Sequence, residues 1–176
     1  MAFTETINFV AALGTLTVGA CSIVLLVAHV VHRKKSHHIL DRVTAWLLWF
    51  GLGIATMAII ASLVYSSIIG YQPCVLCWWQ RVLIYPQVAL YAIALFTQDK
   101  KVFRYTLALS LIGLGFALYH NYIDFGGTEL ISCGTGVSCT MRYVYEFGFV
   151  TIPFMSLMSL IALTVIGWIG LERNQG

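Results

Sequence analysis

Five stretches of about 20 apolar residues dominate this chain, and a stretch of that length is what a helix needs to cross the hydrocarbon of a bilayer. Backbone amides in hydrocarbon find no water, so each span must satisfy its own hydrogen bonds as a helix. The pattern predicts membrane helices over Ile7–Val31, Val43–Ile69, Trp78–Phe96, Phe103–Ile123 and Phe147–Leu171, each bounded by a charge cluster or a turn containing Gly or Pro. The first stretch has no basic segment before it and exceeds the apolar core of a signal peptide, about 7 to 15 residues, so it reads as a retained helix.

Composition removes the competing classes. Only 10% of the residues are charged and 60% are hydrophobic, whereas soluble domains carry about 25% charged residues, so a soluble enzyme and a disordered chain are both excluded. A net charge of +3 without a basic stripe gives no footprint for nucleic acid. There is no fixed-period repeat and no Pro/Ser linker. Short loops make sequential helices antiparallel, so the expected fold class is an all-α integral membrane protein, an up-and-down transmembrane helix bundle. One loop is long, Asp124 to Glu146, and it holds the Gly-rich stretch Gly126 to Gly136.

Basic residues set the orientation. Arg33, Lys34, Lys35, Arg42, Lys100, Lys101, Arg104 and Arg173 fall on one side, and only Arg81 and Arg142 break the asymmetry. That side is cytoplasmic by the positive-inside rule, which puts the N-terminus, the Tyr71–Cys77 loop and the Asp124–Glu146 loop in the opposite compartment.

Four of the five cysteines then face outward: Cys74 and Cys77 just before a predicted helix, and Cys133 and Cys139 in the long loop. Outside the cytoplasm such pairs cycle through, or rest as, disulfides. As structural staples they would contribute little, because closing a ring of about seven residues removes only ~2 kcal/mol of unfolded-state freedom. A four-cysteine zinc site has a familiar first half in Cys74–Cys77 and a loose second half in Cys133–Cys139. Redox chemistry accounts for more, since a thiolate at a helix N-terminus is stabilised by the helix dipole, and Cys77 is expected at that end. Cys74, Cys77 and Arg81 are spaced to share a helical face, with Arg81 one turn below Cys77, where it would lower the thiol pKa and offer donors to an acceptor such as a quinone carbonyl. A guanidinium at that depth also suits snorkelling to the headgroups.

His120 is expected near the outward end of the fourth helix, at about the depth of Arg81. It stands either as a functional histidine within the membrane or as an interfacial one bonded to Asp124. His29, His32, His37 and His38 read as solvated or snorkelling on the cytoplasmic side, and Cys21 as a small hydrophobe in mid-span. Trp78, Trp79, Tyr71 and Tyr143 form a predicted aromatic belt, and Pro153 is expected to kink the fifth helix.

The run Pro73-Cys74-Val75-Leu76-Cys77-Trp78-Trp79-Gln80-Arg81, then Tyr119-His120, Cys133 to Cys139, and Phe147-Gly148-Phe149-Val150-Thr151-Ile152-Pro153-Phe154 resembles the DsbB family of membrane disulfide-bond formation proteins, most closely its short-looped BdbC-type branch. The resemblance covers Val43 to Leu171. It implies a four-helix thiol oxidase core over residues 43–176, preceded at 1–42 by an extra N-terminal transmembrane helix and a basic cytoplasmic loop. It also implies a bacterial cytoplasmic (inner) membrane location, and electron transfer from a thioredoxin-fold (DsbA/BdbD-like) thiol oxidase outside the membrane to a membrane quinone, ubiquinone or menaquinone. In that scheme Cys133 is attacked by the partner, Cys139 exchanges with Cys74, Cys77 passes electrons to the quinone, Arg81 holds the quinone, and His120 sits close to it. The extra helix and the close spacing of Cys133 and Cys139 depart from the enterobacterial pattern. Alternatives are a vitamin K epoxide reductase-like protein, in which the loop pair would precede the Cys-x-x-Cys, and a non-enzymatic bundle with structural disulfides or a metal site. A transporter gains nothing from a chain without paired broken helices.

Overall fold

A computed structural model of the chain describes residues 2–32, 40–129, 133 and 137–175. Every regular element among them is helical: α1 (Ala2–His32), α2 (Leu40–Leu63), which continues through a π-helical turn at Val64–Ile68, α3 (Val75–Thr97), α4 (Val102–Asp124) and α5 (Ile152–Gln175). The all-α membrane class follows, since α1, α2, α4 and α5 are long and apolar enough to cross a bilayer. α3 carries Gln80, Arg81 and Gln87 and is less apolar. It turns Gln80 and Gln87 inward, both buried, and Gln87 accepts a hydrogen bond from Ser110 of α4 at 3.2 Å. The basic residues 33–35 and His37 and His38 lie outside the described residues, as do the side chains of His32 and Arg42.

Helices α2, α3, α4 and α5 pack in sequence order, and α5 returns to α2, which closes a four-helix ring. Close approach is bought by glycine where a large ring must fit: a Cβ on Gly51 would sit 2.6 Å from the fully buried Tyr91 ring, and one on Gly170 would sit 2.3 Å from Phe103. Tyr91 and Phe103 join Leu47, Leu48, Leu163 and Ile166 in the largest core cluster.

α1 does not follow the up-and-down order. It packs on α5, not on its chain neighbour α2. The reason lies in a seam of small and polar residues: Asn8, Ala12, Thr15 and Ser22 are buried, Gly19 leaves room for the Met158 sulfur, and the seam ends at His29. Steps of four and three residues keep such a seam on one helix face, and small residues let membrane helices approach. His29 is therefore not solvated. It is 6% exposed, its Nε2 meets Glu172 Oε2 at 2.7 Å, and its ring packs edge-on against Trp168.

Three further expectations change. The fifth helix begins at Ile152 and not at Phe147, because Phe147 and Gly148 adopt left-handed φ values of 53° and 79° and the backbones of Glu146 and Val150 bond each other across the turn. Pro153 consequently lies in the first turn of α5, where its missing N–H costs nothing, and it starts the helix without kinking it. Proline inside a helix occurs at Pro86 of α3. Finally, Trp78 and Trp79 are exposed as a belt requires, but Tyr71 stacks between Tyr143, at 4.4 Å, and Tyr65, at 6.0 Å, so these tyrosines tie a loop to α2.

Candidate functional site

Cys74 is the N-cap of α3. Its backbone is extended, and its Sγ accepts the Cys77 N–H at 3.3 Å. Cys77 follows in the first turn, and the two free sulfurs are 2.7 Å apart. The benefit of the helix N-terminus, expected for Cys77, thus reaches the Cys74 sulfur as a direct hydrogen bond. The Cys74 thiol is held down to about 4, first by the hydrogen bond from the Cys77 side chain and then, against the opposing effect of burial, by His120.

The last turn of α4 delivers His120, which is 1% exposed. Gln80 presents its amide nitrogen to Nδ1 at 3.2 Å, so the ring proton resides on Nε2. That Nε2 lies 3.1 Å from the Cys139 carbonyl oxygen and 3.7 Å from Cys74 Sγ. His120 is therefore not bonded to Asp124. It bridges the two cysteine pairs. Gln80, 4% exposed, is the residue that sequence reasoning passed over, although an uncharged amide inside a membrane span is itself a signal.

Cys133 and Cys139 are joined in a disulfide and pack with Cys74, Leu76 and Ile123 in one buried cluster that Cys77 borders. All four predicted sulfurs come together. Their loop is anchored by Asp124, whose side chain is 2% exposed and whose carboxylate takes Arg142 Nε at 2.9 Å and the Thr151 hydroxyl at 2.9 Å. Arg142 also donates to the Asp124 carbonyl and lies over the rings of Phe125 and Tyr145. With two of the four cysteines bonded to each other, the four-cysteine zinc arrangement is not assembled. Cys74, Cys77 and His120 do place three ligating atoms within 4.8 Å of one another.

Beside the sulfurs opens a chamber of about 780 Å³, and Cys74, Cys77, Arg81 and His120 line its polar end. Arg81 shares the face with the two cysteines as its spacing implied. Its guanidinium donates to the Ser62 carbonyl at 3.1 Å and lies 5.3 Å from the Trp78 ring centre, so it is held at the wall of the chamber without bonding a sulfur. The rest of the lining is mostly apolar, from α1, α2, α3 and α5. A carbonyl-bearing ring with a long apolar tail matches such a space, with guanidinium donors and a thiol at one end and a hydrocarbon trough behind. Cys21 takes no part. It is exposed on α1.

The family described as disulfide bond formation protein DsbB matches residues 42–170. The chain is 38% identical over 135 residues to the probable disulfide formation protein C 1 of Bacillus cereus (strain ATCC 10987 / NRS 248), covering 74% of this chain and 91% of that protein. It is 37% identical over 115 residues to the disulfide bond formation protein C of Bacillus subtilis (strain 168), covering 64% and 83%. A 40% identity over 114 residues, covering 63% and 82%, relates it to the probable disulfide formation protein C of Halalkalibacterium halodurans. No solved structure matches.

Proposed function

The chain belongs to the DsbB family of disulfide bond formation proteins, and from that premise we propose that it is a thiol:quinone oxidoreductase of the bacterial cytoplasmic membrane. It reoxidises a thioredoxin-fold thiol oxidase, with its N-terminus and both cysteine loops on the extracytoplasmic side and its C-terminus in the cytoplasm. The observation that carries this reading is the meeting of two cysteine pairs around His120, one as a disulfide and one as free thiols, at the polar end of an apolar chamber.

Electrons enter at the loop. The partner's thiolate attacks Cys133 Sγ, the Cys133–Cys139 bond breaks, and Cys139 leaves as a thiolate. The partner's second thiol resolves the mixed disulfide, which leaves the partner oxidised and Cys133 reduced. Cys139 then attacks Cys74 of an oxidised Cys74–Cys77 pair and Cys77 leaves. Cys133 closes on Cys139 again and expels Cys74 as a thiolate. A thiol with a lowered pKa leaves faster, and the Cys74 thiol is low. The Nε2–H of His120 faces both Cys74 Sγ and the Cys139 carbonyl, so it holds Cys139 in reach for its attack and then steadies charge on Cys74 when Cys133 expels it. Two electrons and two protons have then moved from the partner to Cys74 and Cys77. A bound quinone, ubiquinone or menaquinone, supplies the two-electron sink that restores the Cys74–Cys77 disulfide. Arg81, which lines the chamber wall with Cys77, would offer the quinone guanidinium donors.

The test mixes the purified protein with a reduced thioredoxin-fold oxidase and quinone, following quinone absorbance and trapping mixed disulfides. Cys77→Ser is expected to abolish quinone reduction, and Cys133→Ser to prevent the mixed disulfide. Wild-type rates in either variant would overturn the assignment.

A further inference from the structure

The matched family residues begin at 42, so α1 lies outside them, yet α1 borders the chamber. Thr6, Val10, Gly14 and Thr17 recur at steps of three and four residues, which places them on one helix face, and all of them line it. The seam on α5 adjoins this face, with Thr15 bordering both, and His29–Glu172 fixes its inner end. α2 supplies the facing wall, including Met57, Gly53 and Trp49.

We propose, resting on the quinone reading above, that α1 and α2 form the two walls of a trough that takes the apolar tail of the quinone, with α1 setting how tightly tailed quinones bind. Three observations support it. First, the trough is continuous with the redox end: the same chamber holds Cys77 and Arg81 at one extremity and Trp49 and Val18 at the other. Secondly, its length suits a tail. The α1 lining residues from Thr6 to Val18 span about 18 Å at 1.5 Å per residue. Thirdly, each wall has a glycine in mid-span with open space beside it: a Cβ built on Gly14 of α1 or on Gly53 of α2 meets nothing within 4 Å, although each borders the chamber. Glycines that leave space without needing it for helix packing leave that space to something else. The mostly apolar lining calls for hydrocarbon, and continuity with the thiol end selects a molecule whose head is reduced there.

Gly14→Phe places a ring in the trough, and Val10→Trp, one turn away on the same face, repeats the obstruction without altering a glycine. Leu13→Phe is the control, since Leu13 is exposed on α1 but does not line the chamber. Binding of menaquinone and ubiquinone with four-unit isoprenoid tails, and of the same two rings without tails, is read by quenching of tryptophan fluorescence in the full-length protein. Quinone reduction after dithiothreitol reduction is followed alongside. Both trough variants are expected to weaken binding of the tailed forms by about tenfold, equivalent to ~1.4 kcal/mol, leaving the tail-less rings within about twofold of wild type. Leu13→Phe should match wild type for all four. Equal loss for tailed and tail-less rings, or no loss for either, overturns the trough while the redox function stands; the latter result would assign the space to bilayer lipid. Wild-type protein that neither binds nor reduces any of the four quinones overturns the function itself, and the trough with it.

Discussion

The two cysteine pairs differ in what surrounds them. Cys74 and Cys77 sit on a helix end, where the Cys77 amide, His120, Gln80 and Arg81 all bear on the pair or on its partners. Cys133 and Cys139 sit on a loop that is anchored by contacts not made to its sulfurs, the Arg142–Asp124–Thr151 cluster. The first pair is tuned and the second is held. A reduced form stabilised as a thiolate makes a dithiol pair more oxidising, so in the proposed relay the tuned pair draws electrons from the held one, and the difference in surroundings sets the direction of flow.

The severest way to break this comparison is to cut the link between the pairs. Cys139→Ser removes both the disulfide that the partner attacks and the sulfur that reaches Cys74. Quinone reduction should fall by at least about a thousandfold, as when a covalent nucleophile is deleted, and no adduct with the reduced partner should form on non-reducing gels, because Cys133 is left as a free thiol with no S–S bond to break. Turnover without Cys139 would mean that the pairs do not communicate through it.

His120 sharpens the contrast, because it is the group that touches both sides. His120→Leu should slow transfer by about a hundredfold, the lower end of what a positioned proton-bearing group contributes. It should also raise the Cys74 titration midpoint, read from thiolate ultraviolet absorbance of the reduced protein. The folded thiol sits at about 4 and an ordinary one near about 8.5. The thiolate therefore stabilises the folded, reduced form fully above the ordinary value. That contribution shrinks as pH falls between the two values and is gone below about 4. Cys74–Cys77 should accordingly lose oxidising strength toward acid pH, and in His120→Leu that loss should be smaller in total and complete at higher pH. An unchanged midpoint in the variant would remove His120 from the tuning.

Much of this was legible in the chain itself. Apolar runs located five helices, with ends off by as much as about five residues, and the spacing of Cys74, Cys77 and Arg81 predicted a shared face from helical period alone. What escaped depends on contacts between distant segments. His29 pairs with Glu172 across 143 positions, and no local pattern announces such a partner. His120 had Asp124 four residues away as an obvious mate, but Asp124 was claimed by Arg142 and Thr151, which freed the imidazole for Cys74. The start of α5 was misplaced because Phe147 to Val150 is apolar enough to extend a span, while its backbone turns at Phe147 and Gly148. The seam from Asn8 to His29 was visible as a regular recurrence of small residues, a signal of close helix packing that the overall apolarity of α1 obscured.

A milder intervention addresses the held pair. Arg142→Ala removes a charge-assisted hydrogen bond from a buried carboxylate but leaves the Thr151 hydroxyl in place. Since the Arg142 side chain is 36% exposed, the cost to stability is expected to be about 1–2 kcal/mol, measured by thermal unfolding in detergent. Transfer from the loop pair to Cys74 should slow several-fold with the Cys74 midpoint unchanged. A shifted midpoint would show that the anchor also tunes, and the division between the two regions would fail.

The smallest effect is expected at the fifth cysteine, and it checks that position rather than residue type makes the difference. Cys21 lies on the exposed side of α1, next to Ser22 of the buried seam but outside it. A thiol in hydrocarbon has no base to take its proton and no helix terminus to stabilise a thiolate, so it behaves as a small apolar group. Cys21→Ala removes little contact surface from an exposed position, and the stability change should stay within about 0.5 kcal/mol. Quinone reduction, the partner adduct and the Cys74 midpoint should all match wild type. A measurable loss in any of them would bring a fifth sulfur into the relay, which is proposed to need only Cys74, Cys77, Cys133 and Cys139.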